Sequence, residues 1–416
     1  MKLKKLTALL LSLLLICAIC APAASALDRG PGYKNIILMI GDGMGENHLA
    51  LAKQERGISL YMEDHCDVRG YSKTRSASNR VTDSAAGGTA LSSGVRTVNR
   101  YVATYVYDPL DWFSHPCTLA EVAKKCGMRS GVITTDATDG ATPASFSAHT
   151  SDRGNSTDIT TQQMQSDLDL IWGGAVKTFS ADTAASNGFT VVTTAREMQS
   201  LKSGSRSFGQ FDYNAMWHTE APAGSDSPTL SQMTEKAINL LKNDQGFFLM
   251  VEGAHIDKHS HGSNDADNYD TKVANAAEAV EEFDHAIEIA AKFAKRDGNT
   301  LVVITADHET GGIVLRDGKY VYTKSGHTDA DVPVIVFGCK DFFAPGAHIE
   351  NRQVSQRIGA LAGFDKNVFP TSDPGKIPQY FLDITSLTPA HPGSIDHLRD
   401  IASLTQTLFA NLFPKK

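Results

Sequence analysis

Three short apolar runs in this sequence are each followed at once by acidic residues. Asp42 follows residues 35–40, Glu252 and Asp257 follow 246–251, and Asp307 with His308 follows 301–305. Open parallel sheets bind ligands beyond the carboxyl ends of their strands, so three such clusters after three runs point to one site. Adjacent strand residues face opposite ways; Asp307 and His308 can share a site only in the loop past their strand. The stretch 252–261 sets Asp257 and His261 four residues apart, on one face of a helical turn, a good spacing for two ligands of one metal. His327 adds an imidazole from a distant loop. Carboxylates with imidazoles and no thiolate favour zinc, with harder metals where oxygen ligands dominate. His255 and His259 face the other way on that turn and are left out; His149 and His285 read as ordinary surface or supporting histidines.

The nucleophile candidate is Ser84 in Thr82-Asp83-Ser84-Ala85-Ala86-Gly87-Gly88. Small residues after it begin a helix, so its hydroxyl would lie at a helix N-terminus, where an anion is favoured. Asp83 or Ser84 could equally be a plain N-cap. The surrounding ligand set decides for catalysis: no GxSxG elbow and no ordinary serine-hydrolase base accompany this serine, so something else must generate the alkoxide, and a zinc ion can.

At this point the chain resembles the bacterial alkaline phosphatases. The elements are Gly-Asp-Gly-Met-Gly with Asp42, Asp-Ser-Ala-Ala with Ser84, Ala-Thr-Pro-Ala with Thr142, Thr-Ser-Asp-Arg with Arg153, and Glu-Gly-Ala-His-Ile-Asp-Lys with Glu252, Asp257 and Lys258. His261, Ala-Asp-His-Glu-Thr-Gly-Gly with Asp307 and His308, and His327 complete the set, in family order across about residues 35–338. The resemblance implies one zinc on Asp257, His261 and His327, and a second on Asp42, Asp307 and His308 beside Ser84. It implies a magnesium on Asp42, Thr142 and Glu252, an Arg153 fork on two phosphate oxygens, and a water-mediated charge from Lys258. The implied activity is hydrolysis of phosphate monoesters to alcohol and inorganic phosphate through a phosphoserine on Ser84. One position departs: where relatives carry an acid or a histidine near the magnesium, this chain has Gly140, with Asp139 beside it. Either Asp139 substitutes or the magnesium is held more loosely.

The elements that must position these residues alternate along the chain. Apolar runs at 35–40, 130–134, 246–251, 301–305 and 332–338 read as buried parallel strands. Stretches 118–127, 229–243 and 270–297 carry helical spacing, the last with a stripe of Val273, Ala276, Val280, Phe283, Ile287, Ala290 and Phe293. That order predicts a three-layer α/β/α fold with a large, mostly parallel central sheet. Residues 154–228, rich in Ser, Thr, Asp and Gly, with weak strand signals near Leu170 and Phe189 and a short helix near Arg196, read as an inserted subregion over the active-site face, and about 392–416 as a C-terminal helix. With no repeat or long linker, 27–416 is expected to form one catalytic domain.

Residues 1–26 read as a signal peptide: Lys2, Lys4 and Lys5, an apolar run over 6–21, then Ala24-Ser25-Ala26. The run falls short of the roughly 20 residues that span a bilayer, so the expectation is cleavage after Ala26 and a secreted or periplasmic protein without a stable membrane span. Removal takes the basic count from 39 to 36 against 47 acidic residues, a mature net charge of −11. That excludes a broad nucleic-acid-binding surface and requires any positive charge for an anionic substrate to be local. Four cysteines remain, Cys66, Cys117, Cys126 and Cys339; an even number in an exported chain suggests disulfides, with Cys117–Cys126 the favoured pair. Family members are often dimers, and the sequence itself carries no interface signal. A sulfatase is disfavoured because Cys117 is followed by Thr-Leu-Ala-Glu. A phosphodiesterase could share the metal site, but Arg153 and Lys258 favour a dianionic monoester. A binding protein without catalysis, or a metal-free serine hydrolase, would lack the complete ligand set.

Overall fold

A computed structural model of the protein describes residues 27, 29–105, 115–262 and 269–371. The expected signal peptide and C-terminal helix lie outside these residues. Fourteen strands run β1 (Asn35–Gly41), β2 (Val68–Lys73), β3 (Arg129–Ala137), β4 (Leu170–Gly174), β5 (Thr190–Val192), β6 (Ser207–Phe211), β7 (Phe247–Gly253), β8 (Thr300–Thr305), β9 (Glu309–Thr310), β10 (Val314–Arg316), β11 (Lys319–Val321), β12 (His327–Thr328), β13 (Val332–Phe337) and β14 (His348–Glu350). Ten of them form one sheet in the order β14-β2-β13-β8-β1-β7-β3-β4-β6-β5.

The centre of the sheet is β8, β1, β7 and β3, all parallel. β1 shows why its apolar run is unbroken. Ile37 and Met39 enter the core on one face, while Ile36, Leu38 and Ile40 enter the core on the other. A strand covered on both sides has no polar face to alternate with. Each fully buried side chain of this kind contributes about 1.5–3 kcal/mol before chain entropy is subtracted, which lets the sheet tolerate buried carboxylates at one end. Helices cover both faces. On one, Tyr269–Asp297 presents the expected stripe, with Val273, Ala276, Val280, Phe283, Ile287 and Ala290 buried and Phe293 half-buried against the same core. On the other, Leu119–Lys125 packs Leu119, Ala120, Val122 and Ala123, after a capping box between Thr118 and Glu121.

Two expectations about placement are corrected. β13, read as parallel, runs antiparallel to both β8 and β2. An unbroken apolar run reports burial on both faces, not direction. Residues 306–331 contain no helical crossover, and without one the chain must return antiparallel. This return keeps His327 at the carboxyl end of β8. The segment 154–228 is also not simply laid over the sheet: β4, β6 and β5 extend it, parallel to β3 and to one another. Its first and later parts approach the site face, where the Ser156 hydroxyl binds Asp139 and where Tyr213 and Trp217 contact the ring of His255.

The favoured disulfide is absent, and all four described cysteines are free thiols. Cys117 precedes the helix Leu119–Lys125 and Cys126 caps its far end. The helix between them holds the two thiols apart at its opposite ends. No helix among the described residues is long and apolar enough to cross a membrane.

Candidate active site

Every candidate site residue lies at the carboxyl end of the central strands or in the loops just past it. Asp42 follows β1, Glu252 is the penultimate residue of β7, and Asp307 and His308 follow β8 in the loop, as the shared-site argument requires. Asp257 lies in the short helix His255–Ser260, and His261 caps that helix. Gly43 lets these elements meet: it has φ +72°, and a Cβ there would stand 2.8 Å from both Asp257 Cβ and Thr310 Oγ1.

Ser84 begins the buried helix Ser84–Ser93, with Asp83 as its N-cap accepting from the Ala86 N–H at 3.0 Å. The small residues after Ser84 allow close approach; a Cβ at Gly87 would lie 2.9 Å from the Asp307 carbonyl oxygen. Ser84 Oγ lies 3.2 Å from His308 Nε2. That nitrogen is 3.2 Å from Asp307 Oδ2 and 3.6 Å from Asp42 Oδ1. The other Asp307 oxygen accepts the N–H groups of Gly43 at 3.2 Å and His308 at 3.0 Å, which aims Oδ2 inward.

A second cluster stands nearer the rim. His261 Nε2 lies 3.2 Å from Asp257 Oδ1 and 3.1 Å from His327 Nε2, and His327 Nε2 is 3.6 Å from the same Asp257 oxygen. The His327 ring is oriented by its Nδ1, 3.0 Å from the Thr82 carbonyl oxygen. The Thr310 hydroxyl joins the two clusters, donating to Asp257 at 2.5 Å and standing 3.3 Å from His308 Nδ1.

The electrostatics are those of an anionic pit. Burial, then the charges of Asp307, Asp257 and Glu252, push Asp42 well above the usual carboxylate range. Burial and Asp136 push Glu252 up to about 8. Burial lowers His308 to about 4, so its ring is neutral. Burial alone would raise Asp257, but the hydrogen bond to His261 holds it below the usual range. Asp42 Oδ1, Asp307 Oδ2, Glu252 Oε1 and Thr142 Oγ1 are all buried without a hydrogen-bond partner in the protein. Orphaned buried oxygens are costly, and four around one pit fit cation ligands. Asp42, Asp307 and His308, and likewise Asp257, His308 and His327, each bring their donor atoms within 4.8 Å of one another.

Arg153 and Lys258 reach this pit from two sides. Arg153 Nη1 lies 3.3 Å from Asp83 Oδ2, anchored beside Ser84. Lys258 Nζ pairs with Asp136 at 3.1 Å, and Asp136, Asp42, Tyr213 and Glu252 together hold Lys258 above its usual range against the opposing effect of burial. The Asp139 carboxylate is bound to the Ser156 hydroxyl. The Asp136 carboxylate fills the space beside Gly140, where a Cβ would stand 2.2 Å from Asp136 Oδ2. Sequence reasoning missed Asp136, although it too follows an apolar run, 130–134. It also missed Thr310, and Thr134, whose hydroxyl is bound to Glu252; hydroxyls that orient ligands carry no spacing signal. His255 and His259 face away, as expected, against Trp217.

Comparison with known proteins bears on the family of the chain. A family model described as Alkaline phosphatase matches residues 33–356. Alkaline phosphatase of Escherichia coli strain K12 is 32% identical over 353 residues, covering 69% of this chain and 72% of that protein. Alkaline phosphatase 3 of Bacillus subtilis is 32% identical over 333 residues, covering 72% and 67%. Among solved structures, the alkaline phosphatase of the Antarctic bacterium TAB5 superposes with a TM-score of 0.68 at 30% identity, over 80% of this chain and 99% of that one. Variants of that enzyme have been solved with magnesium in a site called M3.

Proposed function

We propose, for a chain that belongs to the alkaline phosphatase family and is thereby a phosphomonoesterase, a double-displacement mechanism centred on Ser84. The observation that carries it is the contact of Ser84 Oγ with His308 Nε2 at 3.2 Å, inside a pit whose inward oxygens lack partners. Asp257, His261 and His327 would hold one zinc, Asp42, Asp307 and His308 a second, and Asp42, Thr142 and Glu252 a magnesium. When bound, these ions supply Lewis-acid charge for the oxygens of an in-line displacement and ionise water near neutral pH.

The chain's own residues do the rest. Ser84 Oγ, held at a helix N-terminus, gives up its proton and forms a bond to phosphorus as the bond to the alcohol oxygen breaks. The alcohol leaves with a proton, and Ser84 carries the phosphoryl group. A water oxygen then attacks phosphorus from the vacated side, the bond to Ser84 breaks, and Ser84 recovers a proton as inorganic phosphate departs. Arg153, fixed by Asp83, offers its fork to two non-bridging oxygens. Lys258 adds positive charge, and Asp136 sets its position. We also read residues 1–26 as removed on export to the periplasm or beyond, which N-terminal sequencing of the mature protein tests by starting at Leu27.

The class is tested by hydrolysis of phosphate monoesters and diesters before and after chelation, with zinc and magnesium restored separately. The expected result is monoester turnover that chelator abolishes, zinc restores and magnesium raises further. Undiminished turnover in chelator would overturn the reading.

A further inference from the structure

A second set of metal-type donors lies away from the pit. His115, Glu121 and His149 bring one donor atom each within 4.8 Å of one another. Glu121 is in the first turn of the helix Leu119–Lys125, where its Oε2 accepts the Thr118 N–H at 2.8 Å. That leaves Oε1, which lies 2.8 Å from His149 Nε2. His149 Nδ1 donates to the Ala103 carbonyl oxygen at 2.6 Å. With Nδ1 engaged by that carbonyl, Nε2 and Glu121 Oε1 face one another as two donor atoms that one cation could take together.

The backbone of His149 is equally fixed, its N–H and carbonyl both bonded to the Gln162 side chain at 2.9 Å. His115 stacks on the same ring, with centroids 3.5 Å apart and planes 22° apart. A simple His149–Glu121 ion pair gives His115 no part, and two stacked imidazolium rings would repel. Metal-ligating histidines characteristically donate their second ring nitrogen to a backbone carbonyl or carboxylate, as His149 does to Ala103. Two imidazoles and one carboxylate are a donor set suited to zinc.

We propose that His115, Glu121 and His149 form a separate site for a divalent transition ion of zinc's type, structural in role. His149 lies beside Thr150, which bridges Val102, and the Arg153 N–H donates to the Arg100 carbonyl oxygen at 2.8 Å. An ion here would therefore tie the helix Leu119–Lys125 to the segment that carries Arg153.

The test is zinc binding to the full-length mature protein, compared with its His115→Ala and Glu121→Gln variants, by metal analysis after equilibrium dialysis against zinc alone. His115 is exposed, so its variant leaves the fold intact. Both variants should bind one zinc fewer per chain, their affinity at this site falling by more than about tenfold. Both should lose part of the zinc-dependent rise in Tm, while kcat in saturating zinc stays within about twofold of the parent because the reacting atoms lie elsewhere. Wild-type zinc content and Tm response in either variant would overturn the proposal and leave Glu121 and His149 as an ordinary ion pair.

Discussion

The two ligand clusters of the pit use the same chemistry at different depths. The side chains of Asp307 and His308 are 0% exposed and that of Asp42 5%, whereas those of His261 and His327 are 44% and 17% exposed. The inner cluster is buried away from bulk solvent, so its charges are coupled to the stability of the fold. The rim cluster has solvent at hand, and on the proposed mechanism it would exchange its ion more readily and face the leaving alcohol and the entering water. On the proposed mechanism, depth would divide the labour: the inner cluster would serve the nucleophile, the rim departure and hydrolysis.

The largest effect should come from the residue touching the inner cluster. Ser84→Ala should reduce turnover by more than about 10³-fold while leaving zinc content, measured by metal analysis, near that of the parent. A loss of zinc comparable to the loss of turnover would merge the two roles that depth separates.

The next effect separates the clusters by rate. Inactivation in chelator, followed by residual activity, should be biphasic as the rim ion leaves first. His261→Ala should remove the fast phase and lower zinc occupancy, whereas inner ligands should govern the slow phase. A single phase unaffected by His261→Ala would contradict the division.

Stability against pH sharpens the same contrast in chelated protein. Glu252, pushed up to about 8, is an acid whose burial favours the protonated form. Its stabilising contribution is full below its unfolded value near 4.5 and is lost as pH rises through about 8. Tm should therefore fall across that interval, and Glu252→Gln should flatten the slope. Asp257 at the rim is held low, so its contribution has the opposite sign, present at neutral pH and lost on acidification.

The smallest effect concerns the outer support of Lys258. Asp136→Asn should weaken magnesium binding by about 10- to 100-fold, measured by titrating magnesium into zinc-loaded protein, with zinc affinity unchanged. Asp139→Asn should leave magnesium binding as it is.

Depth also explains what was legible in the sequence. The inner ligands follow β1, β7 and β8, whose doubly buried cores leave unbroken apolar runs, so Asp42, Glu252, Asp307 and His308 could be found by position after a strand. Asp257 and His261 were legible through helical spacing. The direction of β13 was not, because burial on two faces looks the same either way round. The β4, β6 and β5 edge gave only weak strand signals, near Leu170 and Phe189, because polar connections between its strands resemble an excursion from the sheet. Asp136 was passed over because its partner, Lys258, lies 122 residues away, and its role depends on space left by the missing Gly140 side chain.

The central claim is that Ser84, set by the inner cluster, takes the phosphoryl group. Mass analysis of peptides from acid-quenched enzyme mixed with a phosphate monoester tests this directly. The peptide containing Ser84 should be phosphorylated in zinc-loaded protein and unmodified after chelation. Full turnover by the Ser84→Ala variant, with no phosphorylated peptide in the parent, would contradict the account.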